Sequence, residues 1–327
     1  MSIDWPRFRD TIRRYQRFVL ISHIRPDCDA LGSELGMAGV LEALGKHVSI
    51  VNGQATPPNL AFIDPGQKIM AIGSPEAAAA IEATDVFMIL DTSAWAQLGP
   101  MGEVLRATTK PKLVLDHHVS QDDLGAEYFK DVKAEATGRL VVQAAKELGV
   151  ALTPEMSKPL LAAVATDTGW FRFSSTTGET FRTGAALVDA GARPDQLYRE
   201  LYEQDSLARL RLIGRILARA ETELGGRLIH TAVMREDFEA TGALPSDTED
   251  IVNLTLTVAG TEVAVIFVEQ ADGRFKLSFR SRSAVDCSKL AEVFKGGGHK
   301  AAAGASVPGP YAEALPRVLD AIRQAMG

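Results

Sequence analysis

Within eight positions after an apolar run at residues 18–21 come His23, Asp27 and Asp29, and further along stand Asp91, the triplet Asp116-His117-His118, and Asp167. Carboxylate oxygens and neutral imidazoles suit manganese, magnesium, iron or zinc, and the absence of thiolate pairs disfavours a structural zinc site. His23, Asp27, Asp29, Asp91, His117 and Asp167 together exceed what one catalytic ion needs. They suit two ions sharing a bridging carboxylate, with an activated water between metals roughly 3.5–4 Å apart. Such pairs hydrolyse phosphoesters, because a metal-bound hydroxide attacks phosphorus while both cations neutralise the charge developing on its oxygens. Each residue also has a plainer reading. Asp27 or Asp29 could cap the following helix, Asp91 the segment after its strand, and Asp167 the loop behind it; His117 and His118 could be a surface doublet.

The elements that would position these residues alternate. Residues 18–21 form an apolar run of strand length, which Pro26 prevents from continuing. Residues 35–44 read as a helix closed by Gly45, 46–51 as a strand, 76–83 as a helix, 86–90 as a strand, 104–107 as a helix end and 113–115 as a strand. Helical spacing returns over 134–149 and over 154–166, the latter running into Asp167. Such alternation predicts an α/β fold with a parallel sheet and helices on both faces. Parallel strands put all their carboxyl ends along one edge, where ligands bind in open α/β sheets.

A chain of 327 residues predicts about two domains. The boundary is expected near Arg193, with a first domain over 1–193, a charged helical connector over 194–224 and a smaller α+β domain over 225–327. In the last, strands are expected at 228–233, 263–269 and 275–280 and helices at 247–258 and 288–294. Ser246 and Glu249 fit a capping box, and Asp272-Gly273 a hairpin turn. Arg280 and Arg282 lie two apart and so share one face of a strand, as a phosphate clamp or as the charges of an edge strand. Gly296-Gly297-Gly298-His299 permits close approach of backbone amides to a phosphate, or is a plain turn before a helix.

Hydrophobic residues make up 46% of the chain and charged residues 24%, ordinary globular composition, and the net charge of −7 argues against a protein that grips long duplex nucleic acid. Two distant cysteines, Cys28 and Cys287, suggest no disulfide framework. No apolar run of about 18 residues is present and the amino terminus lacks a signal-peptide core. A cytoplasmic protein without a membrane partner is expected.

Taken in order, His23-Ile-Arg-Pro-Asp27-Cys-Asp29-Ala-Leu-Gly-Ser33, Ile-Leu-Asp91, Leu-Asp116-His117-His118 and Ala-Thr-Asp167-Thr-Gly resemble the four motifs of the DHH phosphoesterase superfamily. The terminal part, with Phe279-Arg280-Ser281-Arg282 and Gly296-Gly297-Gly298-His299 before Ala302-Ala303-Gly304, resembles the DHH-associated substrate domain. Length and domain pairing are most similar to the NrnA-type oligoribonucleases, which also act on 3′-phosphoadenosine 5′-phosphate.

The resemblance implies a metal-dependent phosphodiesterase and phosphatase with two divalent cations, manganese first and magnesium or cobalt as alternatives. One ion would be held by His23, Asp27 and Asp91, the other by Asp29, Asp91, His117 and Asp167, with Asp91 bridging. His118 would face the scissile phosphate, and Asp116 would orient an imidazole. Arg280 and His299, with Gly297, Gly298, Ser278 and Arg282, would bind the substrate: short RNA or a nucleotide, not duplex. Cys28 stands where the family commonly has glycine; it is read as a tolerated small residue, although it could demand another backbone angle or offer a soft ligand. A cyclic- or linear-dinucleotide phosphodiesterase and a non-catalytic nucleotide sensor are the rival readings. A homodimer stays open.

Overall fold

Residues 3–327 are described by a computed structural model of the chain, in which contacts divide the chain into two units, Met1–Glu203 and Gln204–Gly327. The strands of the first are β1 (Arg17–Ile21), β2 (His47–Asn52), β3 (Ile69–Ala71), β4 (Val86–Leu90), β5 (Lys112–Asp116) and β6 (Glu127–Lys130), of which β1, β4 and β5 are built on buried apolar runs. All pair in parallel in the order β3-β2-β1-β4-β5-β6. The helices are α1 (Trp5–Arg14), α2 (Cys28–Ala43), α3 (Pro75–Ala83), α4 (Gly99–Ala107), α5 (Thr137–Leu148), α6 (Pro154–Asp167), α7 (Gly178–Asp189) and α8 (Pro194–Tyr202).

Strand periodicity sorts the core into two layers. Phe18, Leu20, Met88 and Leu115 face Phe8, Leu31, Leu140 and Leu160 from α1, α2, α5 and α6. Val19, Ile21, Phe87 and Val114 face Ala77, Met101 and Leu105 from α3 and α4. The sheet is therefore covered on both faces, as its unbroken apolar strands require.

Helix α6 runs antiparallel against α2, and glycines set how closely. A Cβ at Gly32 would meet the Pro159 carbonyl, one at Gly36 would lie 2.5 Å from Leu160 Cδ2, and one at Gly39 2.6 Å from Met156 Cγ. This packing brings the end of α6, with Asp167, beside the start of α2.

The second unit comprises α9 (Leu207–Ala218), β7 (Glu221–Glu223), β8 (Leu228–Val233), α10 (Arg235–Thr241), α11 (Ile251–Thr255), β9 (Val263–Glu269), β10 (Arg274–Ser281), α12 (Cys287–Val293), β11 (Gly297–Gly298), β12 (Ala302–Pro308) and α13 (Tyr311–Met326). Its sheet runs β11-β12-β10-β9-β8-β7, antiparallel except for the β8–β9 pair. Phe275, Leu277 and Phe279 pack against α12 and α13, and Ala264 and Ile266 against α9 and α11.

Several local expectations change. The charged connector is two helices, α8 and α9, with Ser206 capping the second through the Arg209 amide. The helix expected over 247–258 is only α11 after a 3₁₀ turn at Pro245–Thr248, because Asp250 between them adopts a left-handed φ of 62°. Ser246 caps nothing there; the Leu244 amide donates to Asp247 Oδ2 at 2.7 Å instead. The Gly296–Gly298 run does not precede a helix: Gly297 and Gly298 pair with Gly304 and Ala303 in a hairpin whose turn His299 opens. Asp272-Gly273 does turn β9 into β10, with Gly273 at φ 78°. Among the described residues no helix is long and apolar enough to cross a membrane.

Candidate metal centre

Strand register places the first donors. Ile21 pairs with Ile89 and Leu90 with Leu115, so His23, Asp91 and Asp116 leave one edge of the sheet side by side. Asp91 follows β4 at φ 62°, a left-handed conformation that aspartate tolerates better than most residues. Its carboxylate faces two ways. Oδ2 lies 3.4 Å from His23 Nε2, and Oδ1 lies 3.4 Å from His117 Nε2 and accepts the Thr137 hydroxyl at 2.9 Å.

Two donor groups form around it. His23, Asp27 and Asp91 make one, with His23 Nε2 3.8 Å from Asp27 Oδ1. Asp29, His117 and Asp167 make the other, with His117 Nε2 3.7 Å from Asp29 Oδ2 and 3.4 Å from Asp167 Oδ2. Both imidazoles turn Nε2 inward because Nδ1 lies near a carbonyl, Ile24 O at 3.0 Å for His23 and Ala134 O at 3.1 Å for His117.

The capping reading of Asp27 is also correct: its Oδ1 accepts the Asp29 and Ala30 amides and starts α2. Asp29 is buried, and the amides of Thr137 and Gly138, each at 2.8 Å, fix its two oxygens. Those amides begin α5, whose N-terminal dipole favours the negative charge. Thr137 and Gly138 escaped the sequence reading; a Thr-Gly pair at the start of a helical stretch was the only signal.

His118 is placed differently. Its Nδ1 lies 2.9 Å from Asp116 Oδ1, and nearly half of its side chain is exposed. Asp116 is fully buried and also receives Ser93 Oγ at 2.8 Å and Lys130 Nζ at 3.0 Å. His118 also groups with Asp91 and His117, but with Nδ1 committed to Asp116 its outward nitrogen is the one available to a ligand. Hydrogen bonding to Asp116 raises the His118 pKa.

The electrostatics call for cations. Burial raises the Asp29 pKa, and Asp91 and Asp167 add to it; burial also pushes Asp167 up to about 6. Burial opposes charge on His117 and His23, yet the surrounding carboxylates raise them to about 10 and about 9. Burial acts against the Asp91 charge too, but His117 and His23 hold its pKa down. Four carboxylates crowd two imidazoles, and oxygen and nitrogen donors in two groups, with Asp91 of one 3.4 Å from His117 of the other, fit a pair of divalent cations.

Cys28 opens α2 without a positive φ and belongs to neither group. Burial pushes its thiol up to about 12, so it is neither thiolate nor strained.

In the second unit, Ser278 and Arg280 point to the same side of β10, as a two-residue period requires. Arg282 is already engaged: its guanidinium donates to the Thr261 and Val258 carbonyls. His299 is exposed at the hairpin turn beside Gly297 and Gly298.

A parallel sheet whose carboxyl edge carries these donors, joined to a mixed-sheet unit, defines the class. The model of the DHH family, N-terminal domain, matches residues 17–166 and that of the DHHA1 domain matches residues 227–327; the chain belongs to the DHH family. It is 32% identical over 310 residues to the bifunctional oligoribonuclease and PAP phosphatase NrnA of Thermus thermophilus, covering 93% of this chain and 89% of that protein. Identity to the Bacillus subtilis protein of the same name is 26% over 301 residues, 91% of each chain. The crystal structure of an exopolyphosphatase-related protein from Bacteroides fragilis superposes with a TM-score of 0.83 at 26% identity, covering 98% of this chain and 94% of that one.

Proposed function

We propose that this protein is a two-cation phosphoesterase that hydrolyses short oligoribonucleotides to mononucleotides and converts 3′-phosphoadenosine 5′-phosphate to AMP. The observation that carries the reading is the divided carboxylate of Asp91, one oxygen toward each donor group. The similarity to two proteins named as bifunctional oligoribonucleases and PAP phosphatases supports the substrate class.

His23, Asp27 and Asp91 would hold one cation, and Asp29, His117, Asp167 and the other oxygen of Asp91 the second. When bound, the pair supplies a nucleophilic hydroxide and neutralises charge on the phosphoryl oxygens. Thr137 and Gly138 hold the Asp29 and Asp91 carboxylates still through amide and hydroxyl hydrogen bonds. Asp116 keeps His118 oriented and favours its protonated form, so the outward nitrogen can donate to the leaving oxygen. Arg280 and His299 recognise the rest of the nucleotide, with Ser278, Gly297 and Gly298 beside them. Manganese is the cation assigned, and the cytoplasm the location.

The test is a panel of short RNA, pApA, pGpG, cyclic di-AMP and 3′-phosphoadenosine 5′-phosphate, each with manganese. Mononucleotide release from short RNA and AMP from the bisphosphate are expected; a protein inert toward all of them would refute the reading.

A further inference from the structure

A buried polar chain, Glu34–Asn52–Ser22, ties the residue before His23 to helix α2. Asn52 ends β2 and lies level with Ser22, two positions beyond the Leu20–Ile50 pair. Its Oδ1 accepts the Ser22 amide at 3.1 Å, and its Nδ2 donates to Glu34 Oε2 at 2.8 Å. All three residues are buried. Glu34 sits in α2, the helix whose first residues are Cys28 and Asp29 and whose cap is Asp27.

The arrangement is costly for a purely structural contact. Glu34 Oε1 is buried with no hydrogen-bond partner, and an unsatisfied buried acceptor destabilises the fold. An apolar pair of similar volume would fill the space as well. An apolar pair could not prolong the ladder past the end of β1, nor join that end to the helix that presents Asp27. On the other side of His23 the Ile24 amide is held separately by the Gln97 carbonyl at 2.7 Å, so His23 is fixed from both sides. The other donor group depends on different partners, since Asp29 is held by the α5 amides.

We infer that Asn52 and Glu34 are positioning residues for one half of the cation pair, the His23–Asp27–Asp91 group, and leave the Asp29–His117–Asp167 group untouched. This rests on the two-cation reading above. Groups hydrogen-bonded directly to metal ligands typically contribute about ten- to a hundred-fold in affinity; Asn52 acts one residue away, through the Ser22 amide, so the low end of that range is expected.

The experiment is manganese titration of the purified full chain by calorimetry, with electron paramagnetic resonance to report coupled ion pairs. Wild type should bind two ions. Asn52→Ala should keep one at wild-type affinity, bind the other about ten-fold more weakly and lose the coupled signal. Glu34→Ala, which cuts the chain at its helix end, should do the same and serves if Asn52→Ala does not fold. Glu34→Gln retains an acceptor for Asn52 and should restore both ions. Two ions bound as tightly in Asn52→Ala or Glu34→Ala as in wild type, or both weakened in parallel, would overturn the assignment. A wild type that binds fewer than two ions would instead sink the two-cation reading, and this inference with it.

Discussion

Gly32 of α2 lies directly beneath the backbone carbonyl of Pro159 in α6, with no room for a methyl group between them. Alanine ordinarily stabilises a helix interior over glycine by up to about 1 kcal/mol. Here the overlap is with backbone, which cannot rotate away, and overpacking of this kind costs about 1–3 kcal/mol. Gly32→Ala should therefore lower the melting temperature. Because α6 carries Asp167, it should also weaken manganese binding. A variant as stable as wild type would show that α6 can shift freely.

Replacing Asp91 by asparagine removes the carboxylate proposed to serve both cations. Calorimetry should register loss of both ions, whereas His23→Ala should weaken only one. Equal loss in the two variants would contradict the division of the Asp91 oxygens.

His118→Ala should keep manganese affinity and lose about 10²- to 10⁴-fold in rate, the range for a positioned proton donor. Asp116→Asn should also lower the rate by releasing the imidazole. A purely sensory protein would show unchanged nucleotide binding and no turnover to lose, and kinetics beside equilibrium binding separate the cases.

Arg280 and Arg282 should diverge. Arg280→Ala is expected to raise KM for short RNA with little change in kcat or melting temperature. Arg282→Ala breaks two bonds to the carbonyls of Thr261 and Val258, so thermal melting should register it first. A KM effect for Arg282→Ala without loss of stability would reverse that assignment.

The second unit offers a pH test. Asp237 is fully buried, and burial alone would raise its pKa, yet Arg219, the Met234 amide and Arg215 lower it to about 2. A depressed carboxyl pKa adds stability that is complete above the unfolded value near 4 and lost as pH falls through 2. The linked contribution is about 2 kcal/mol, so wild type should lose that much more stability than Asp237→Asn between pH 5 and pH 2. Parallel curves for the two proteins, followed by denaturant unfolding, would refute it.

Apolar strand runs and the polar residues that end them made the first sheet and its edge legible in the sequence. The runs at 18–21, 86–90 and 113–115 are long enough to read, while β3 and β6 are short and carry no run of their own. Thr137 and Gly138 could not be found, because they act through amides that reach Asp29 across 108 and 109 residues of chain. The Glu34–Asn52 contact is hidden for the same reason: nothing local to either residue names its partner. Residues 247–258 differ for another cause, since the left-handed turn at Asp250 interrupts the stretch and half of its residues are β-branched, which weakens a helix. Asp27 admits two readings in the sequence, and one carboxylate meets both, capping α2 and standing in the donor group.

Because every proposed donor from the first sheet leaves it at the carboxyl margin, the opposite margin is open to engineering. Thr109, before β5, is exposed on that far side, whereas Gly45, before β2, holds a left-handed φ of 74° that a side chain would strain. A fluorophore, an affinity handle or a surface tether fixed at Thr109 would leave the chemistry unobstructed, giving an immobilised catalyst or a reporter of cation loading.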